Sequence, residues 1–443
     1  MDKENNQQTI NSQSDQQVQK SNKITRAIVG ITMAVLFLLG FGLGHFFSFF
    51  AKNDMERKLE EIFEIAQDKG IEAVIDSIDT DDFAKLVVKL VLEQDEYAEY
   101  YTEEEYNQKK AQGEGSYSGI GVSLSGTKIV RVILNSPAFY AGFKANDVLA
   151  GGRAQQNEFT PFANGNDLDA FLDSIQTGEE IEFQVLRDGQ TINITVAKAE
   201  YVASYVTVIT KEKAFHVFTD LKGEVQEYEI LDKIENIDEQ TLYLKLSSFE
   251  SDATAKQFAY AMQYMKDNSL TKLLLDLRGN GGGRMTVMLD IASYLIYNDG
   301  NRSSVITYVQ EKNRTSHQST SENNFNLDIS KISVIADGGS ASATECIIGA
   351  MICYADKSNG TFSKDNLVIE KTNTAGTTYG KGIMQTTYQL RTGGALKLTT
   401  GKLYWPDNWT TIHKTGIKVS KDTPENLVQK GMGIERALQI LAD

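Results

Sequence analysis

Two cysteines, four prolines and four histidines are all that 443 residues contain of these types. Cys346 and Cys353, both on one short stretch, exclude a disulfide framework and a cysteine-built zinc site. So few histidines leave little material for a His-ligated centre, and neither a metal nor a cofactor is expected. The proline count excludes a Pro-rich linker protein. Basic residues are also in deficit. Against 60 Asp and Glu stand 44 Lys and Arg, for a net charge of −16. That sign argues against a general nucleic-acid binder, whose affinity comes from cations neutralising phosphates. Apolar residues, by contrast, make up 41% of the chain, ample for a core. At roughly 150 residues per domain the length suggests about three units.

One long run carries no Asp, Glu, Lys or Arg: Ala27 to Ala51, 25 residues. At about 1.5 Å per residue it is long enough for the roughly 30 Å hydrocarbon core of a bilayer. A cleaved signal peptide would show a shorter apolar region and a small-x-small cleavage site. The preferred reading is an uncleaved transmembrane anchor over 24–51, with cleavage after Ala51 as the alternative. Lys20, Lys23 and Arg26 precede the span, so the positive-inside rule puts the Gln/Asn/Ser-rich tail 1–23 in the cytoplasm, where it is expected to be disordered. The body then faces outward from the cell membrane on a single pass.

Residues 54–112 carry apolar residues at helical spacing (Met55, Leu59, Ile62, Phe63; then Phe83, Leu86, Val87, Leu90) and read as a helical region, compatible with a homodimer. The Gly/Ser cluster at 113–119 marks a boundary. From 115 to 200 short strands alternate with turns around a Gly119-Ile120-Gly121-Val122 loop, a Ser136-Pro137-Ala138 step and an Asp147-Val148-Leu149 strand start. This succession resembles a PDZ domain. The resemblance implies that the Gly119–Val122 loop turns backbone N–H groups towards a peptide's terminal carboxylate while the peptide adds as a strand.

Residues 201–443 alternate strands and helices and read as an α/β unit. Three stretches within it could carry chemistry. An apolar strand runs into Arg278-Gly279-Asn280-Gly281-Gly282-Gly283 and then an amphipathic helix. The spacing is neither a P-loop nor G-x-G-x-x-G, so an oxyanion site is preferred to phosphate binding. A second strand runs into Gly338-Gly339-Ser340-Ala341-Ser342-Ala343-Thr344-Glu345 and an apolar helix, a place where a nucleophile can be held at a helix N-terminus. Alone, that turn also suits close strand–helix packing. Lys381, flanked by Gly380 and Gly382, becomes a general base able to activate serine if burial disfavours its ammonium. His216, His317 and His413 lie in polar stretches without such context and read as surface or packing residues.

Together these stretches resemble the C-terminal processing (tail-specific) peptidases, serine proteases with a Ser-Lys dyad and a PDZ domain. The resemblance runs from Asp95-Glu96-Tyr97 to the end of the chain, includes Tyr404-Trp405-Pro406, and implies a bacterial envelope location. It places the nucleophile on Ser342, with Ser340 the neighbour most easily confused with it. The base falls on Lys381 and its partner on Gln385; the oxyanion donors fall on Gly282 and the backbone of Ala343. The chain is therefore expected to be multidomain: an N-terminal transmembrane helix, a helical segment, a β-rich PDZ domain and an α/β serine protease domain. Its partners would be protein C-terminal tails and the membrane, with no nucleic acid. A catalytically inactive membrane-tethered PDZ adaptor is the alternative, against which the presence of both Ser342 and Lys381 speaks; an α/β hydrolase of small molecules would not need a peptide-terminus module. On a regular strand Lys381 and Gln385 would lie about 13 Å apart, so a turn or bulge around Gly380–Gly382 is expected to bring them together.

Overall fold

A computed structural model describes residues 80–91, 95–154, 157–358, 360–407 and 409–443. The chain divides into two units, Met1–Phe83 and Ala84–Asp443. The expected membrane span at 27–51 and the helices expected before residue 80 lie outside the described residues. Among the described residues no helix is long and apolar enough to cross a membrane.

After helix α1 (Thr80–Val91) the chain forms a short strand, Glu99–Tyr101, and helix α2 (Glu103–Glu114). The helical reading of 54–112 is thus corrected by a strand. It owes its existence to a partner far along the chain, since Glu99 to Tyr101 pair antiparallel with Lys397 to Ala395. Thr102 starts α2 with a reciprocal capping box: its Oγ1 accepts from Glu105 N–H while Glu105 Oε2 accepts from Thr102 N–H.

Residues 117–201 form a β-rich unit. Six strands make an antiparallel sheet: Val122–Ser125, Lys128–Val132, Val148–Ala154, Glu180–Arg187 and Gln190–Ala197 in that order, with the short Thr160–Pro161 paired to Val148–Ala154. Two short helices, α3 (Pro137–Ala141) and α4 (Gly165–Asp173), accompany it. Its own core gathers Ile129, Leu149, Leu168, Ile181, Phe183 and Val185, all fully buried. The inward alternation Ile181, Phe183, Val185 is the period of two that a half-buried strand requires.

The remainder is built on an eight-stranded sheet. Its order is Val225–Glu229, Ala214–Thr219, Val206–Ile209, Thr241–Leu246, Lys272–Asp276, Lys331–Asp337, Leu367–Lys371 and Leu427–Gln429. The first three strands are antiparallel; from Thr241 onward neighbours are parallel. Parallel pairing explains the near-continuous apolar strands, because helices cover both faces. Helices α5 (Asp252–Asp267), α6 (Met285–Leu295) and α7 (Ala343–Cys353) pack on the larger core. Helix α8 (Gly433–Ala442) seals the other face through Ala437, Ile440 and Leu441. A second sheet, which the α/β reading did not anticipate, joins Glu99–Tyr101, Ala395–Tyr404, Val305–Glu311, Thr315–Ser319 and Ile383–Gln389.

Candidate active site

Strands Lys272–Asp276 and Lys331–Asp337 are parallel neighbours, with Leu275 opposite Val334 and Asp276 opposite Ile335. Both of their C-terminal loops therefore leave from the same edge of the sheet, the usual place for a site in an open parallel sheet. One loop is the glycine turn 279–283; the other holds Ser340 and Ser342.

The two serines have different surroundings. Ser340 is fully buried; its Oγ donates to Leu277 O at 2.8 Å and accepts from Asp337 N–H at 3.0 Å. It staples one loop to the other. Ser342 is half-buried at the N-terminus of α7, with φ +57°, a left-handed conformation rare for a residue with a side chain. Ser342 lines a cleft of about 660 Å³ together with Gly281, Gly283, Ala343, Lys381 and Gln385.

The strained turn is held from beneath by Glu345, a carboxylate with no exposed surface. Its Oε2 accepts from Ser342 N–H at 3.0 Å and from Lys381 N–H at 2.9 Å. Its Oε1 accepts from Gly380 N–H at 2.8 Å and from Thr378 Oγ1. Burial raises the Glu345 pKa, and these four donors pull the other way. One buried carboxylate thus fixes the serine turn to the lysine segment.

The Lys381 amine donates to Gln385 Oε1 at 2.9 Å. The expected bulge exists, but between Met384 and Gln385, where the pairing with strand Ala395–Tyr404 shifts register. Burial and the positive charge of Lys397 lower the Lys381 pKa, with Glu250 opposing them. Among the described residues no hydrogen bond joins Ser342 Oγ to Lys381 Nζ; such contacts often tighten only with substrate bound.

The two expected oxyanion donors, Gly282 and Ala343, have different surroundings. Gly282 N–H is turned onto Asn280 Oδ1 at 3.0 Å, because the buried Asn280 side chain closes a local turn after donating to Leu246 O. Gly282 still lies against the serine loop: a Cβ there would sit 2.7 Å from Ala341 O and 2.9 Å from Ala343 N. Ala343 N–H occupies the first position of α7, where a helix offers no internal acceptor.

Residues 240–356 match peptidase family S41. The chain carries a serine-type peptidase domain. Over 384 residues it is 26% identical to the carboxy-terminal processing protease CtpB of Bacillus subtilis (strain 168), covering 83% of this chain and 68% of that protein. Over 357 residues it is 24% identical to the "Probable CtpA-like serine protease" of Staphylococcus aureus (strain N315), covering 78% of this chain and 62% of that protein. The chain thus spans about two thirds of the length of these relatives. It also overlays the photosystem II D1 C-terminal processing protease with a TM-score of 0.46 at 18% identity, over 82% of this chain and 86% of that one.

The S41 match contains Ser342 and Glu345 and stops short of Lys381 and Gln385. A second cavity of about 600 Å³ is lined by Gly119, Ile120, Gly121, Val122 and Arg131, which precede the match, and by Lys245, which lies within it. Gly121 adopts φ +86°, and a Cβ there would fall 2.0 Å from Ser136 Cβ. This groove and the serine cleft share Gln112, on α2, and Glu250. Arg284 ties the end of α2 to the cleft rim, pairing with Asp252 at 2.8 Å and donating to Gly113 O.

The sequence alone left four contributors to this site unassigned: Asn280, Glu345, Thr378 and Tyr97. Glu345 had a signal, since Ser342-Ala-Thr-Glu345 has capping-box spacing. Asn280 lies in the glycine turn singled out for its N–H donors, with nothing to mark its side chain, and Thr378 sits in ordinary polar context. Tyr97 stands in the Asp95-Glu96-Tyr97 stretch that opens the resemblance, but nothing in the sequence ties it to Gln385, 288 positions along the chain. Of the histidines, His216 is buried against Phe139 and Phe218 and bonded to Thr207, while His317 packs on Tyr308. Both cysteines are free thiols. Among the described residues no group of three or more His, Cys, Asp or Glu is placed to hold a metal ion.

Proposed function

We propose that the protein is a membrane-anchored serine endopeptidase that captures protein C-termini in the Gly119–Val122 groove of a PDZ-like unit and cleaves them with a Ser342–Lys381 dyad. The observation that carries the reading is the single cleft shared by a serine on a strained helix-start turn and a lysine whose amine is fixed by Gln385. Similarity to carboxy-terminal processing proteases supports the substrate class.

In this mechanism neutral Lys381 takes the Ser342 proton as Oγ attacks the scissile carbonyl. The oxyanion rests on Ala343 N–H, joined by Gly282 N–H once that group leaves Asn280. Lys381 then returns the proton to the leaving amine, and the C-terminal fragment departs. Water next attacks the acyl-serine with Lys381 again as base, and the proton goes back to Ser342. The apolar run at 27–51 supports a single-pass anchor with the body outside the cytoplasm. The connection of groove and cleft past α2 suits a chain held by its end while an upstream bond reaches Ser342.

The test incubates the full-length chain in detergent, beside Ser342→Ala and Lys381→Ala, with an unfolded protein ending in a small apolar tail and the same protein ending in Asp-Asp. Cleavage by the unmodified chain alone, faster with the apolar tail, is the expected result. Three inert chains that still bind the tail would replace a peptidase with an adaptor. Undiminished cleavage by Ser342→Ala would remove the nucleophile from this reading.

A further inference from the structure

The Lys381 amine has a second neighbour besides Gln385. Its Nζ stands 4.7 Å from the centre of the Tyr97 ring, within the range of a cation–π contact. The same residue reaches the amine's other partner, since Gln385 Nε2 donates to Tyr97 O at 2.9 Å. Gln385 is thereby oriented. With its NH₂ committed to the Tyr97 carbonyl, its Oε1 must face the lysine, where the 2.9 Å bond is found. Tyr97 is itself anchored: Asp95 accepts from Tyr97 N–H at 3.2 Å and clamps the strand Ala395–Tyr404 through Thr399 N–H and Oγ1, each at 2.8 Å.

We infer that Tyr97 is a positioning residue of the active site, holding the ammonium form of Lys381 under its ring while its carbonyl sets the direction of Gln385. The inference rests on Lys381 being the base. It assigns a role to the segment before the β-rich unit, far outside the S41-matched residues. The face of an aromatic ring is electronegative and attracts a cation but not a neutral amine. Tyr97 therefore favours protonated Lys381 and opposes burial and Lys397, which disfavour it. The groups facing the amine are Lys397 on the neighbouring strand, Glu250 before α5, and the Tyr97 phenol with its own neighbours Tyr379 and Glu96. Burial, with Tyr379 and Glu96 beside it, pushes the phenol up to about 12, so it stays neutral while Lys381 titrates. The ring and the carbonyl act separately, because a side-chain substitution removes only the first.

The test follows the rate at which a small organophosphorus reagent modifies Ser342 across the range from about pH 6 to pH 10, for the full-length chain in detergent and for Tyr97→Phe, Tyr97→Leu, Tyr97→Met and Lys381→Ala. The unmodified chain and Tyr97→Phe should share one rising limb. In the two ringless variants the limb should move to lower pH by roughly half a unit to one unit, with the alkaline plateau kept within about threefold. Thermal melting identifies a variant that fails to fold, and the remaining ringless chain then decides. Ringless variants whose limb coincides with that of Tyr97→Phe would overturn the inference and leave the lysine base standing. A Lys381→Ala profile equal to that of the unmodified chain would instead remove the base itself, and with it the role of Tyr97.

Discussion

The backbone N–H of Lys381 donates to the buried carboxylate of Glu345 at 2.9 Å. Through the same oxygen Glu345 also holds Ser342 N–H, so the spacing of the two proposed catalytic residues is set by one side chain. Glu345→Gln replaces an acceptor by an amide half of which is a donor, and two of the four incoming donors lose their partner. We expect a loss of about 1–3 kcal/mol of stability, read by denaturant melting, and a fall in kcat larger than any change in KM.

Ser340 and Ser342 should separate cleanly. Ser340→Ala removes a buried staple between the two loops and should cost about 1 kcal/mol while peptide cleavage persists. Ser342→Ala should melt like the unmodified chain and cleave nothing. The reverse pattern would assign the nucleophile to Ser340.

Activity should rise towards alkaline pH. A base works only when deprotonated, and burial together with Lys397 lowers the Lys381 pKa below the ordinary lysine value. The rising limb of kcat/KM should therefore lie below pH 10.4, the approximate pKa of an unperturbed lysine. Lys397→Met removes a cation that disfavours the Lys381 ammonium. The sign follows: the Lys381 pKa rises, and the limb moves to higher pH by roughly half a unit to one unit. A limb that stays in place or moves to lower pH would show that Lys397 does not act on the base.

Gly282 has φ +95° and no room for a methyl group, which would meet Ala341 O at 2.7 Å. Gly282→Ala should push the glycine turn off the serine loop. A displacement of about 1 Å at such a site costs on the order of a hundredfold in rate, and single-turnover acylation kinetics would register it with little change in substrate affinity.

In the β-rich unit, Asp147 is almost fully buried and paired with Arg187, whose Nε and Nη2 reach its two oxygens at 2.7 Å each. Burial pulls the Asp147 pKa up, but Arg187 and Lys144 N–H hold it below the ordinary value. Its contribution is present above the unfolded aspartate pKa of about 3.9 and is lost as pH falls through the folded one. Arg187→Met should destabilise this unit by roughly 3 kcal/mol, and its melting should respond less than that of the unmodified chain to acidification below about pH 4.

The sequence by itself determined the local matters. Apolar runs leading into glycine-containing turns announced the strands Lys272–Asp276 and Lys331–Asp337, because a parallel strand covered on both faces must be apolar throughout. The glycine turn and the serine turn were legible for the same reason, since each is a short stretch whose backbone needs small residues. Tertiary structure decided what joined them. The strand Glu99–Tyr101 exists only because Lys397 to Ala395 lie beside it, and its own residues carry no period to announce it. Whether Gly282 N–H faced the cleft depended on the buried Asn280 side chain. Only the folded chain sets Ser340 inside and Ser342 at the cleft, places Glu345 beneath both loops and brings Tyr97 to Lys381. Those contacts span from a few residues to nearly three hundred, and hydrogen-bond geometry at that separation leaves no mark on a one-dimensional pattern.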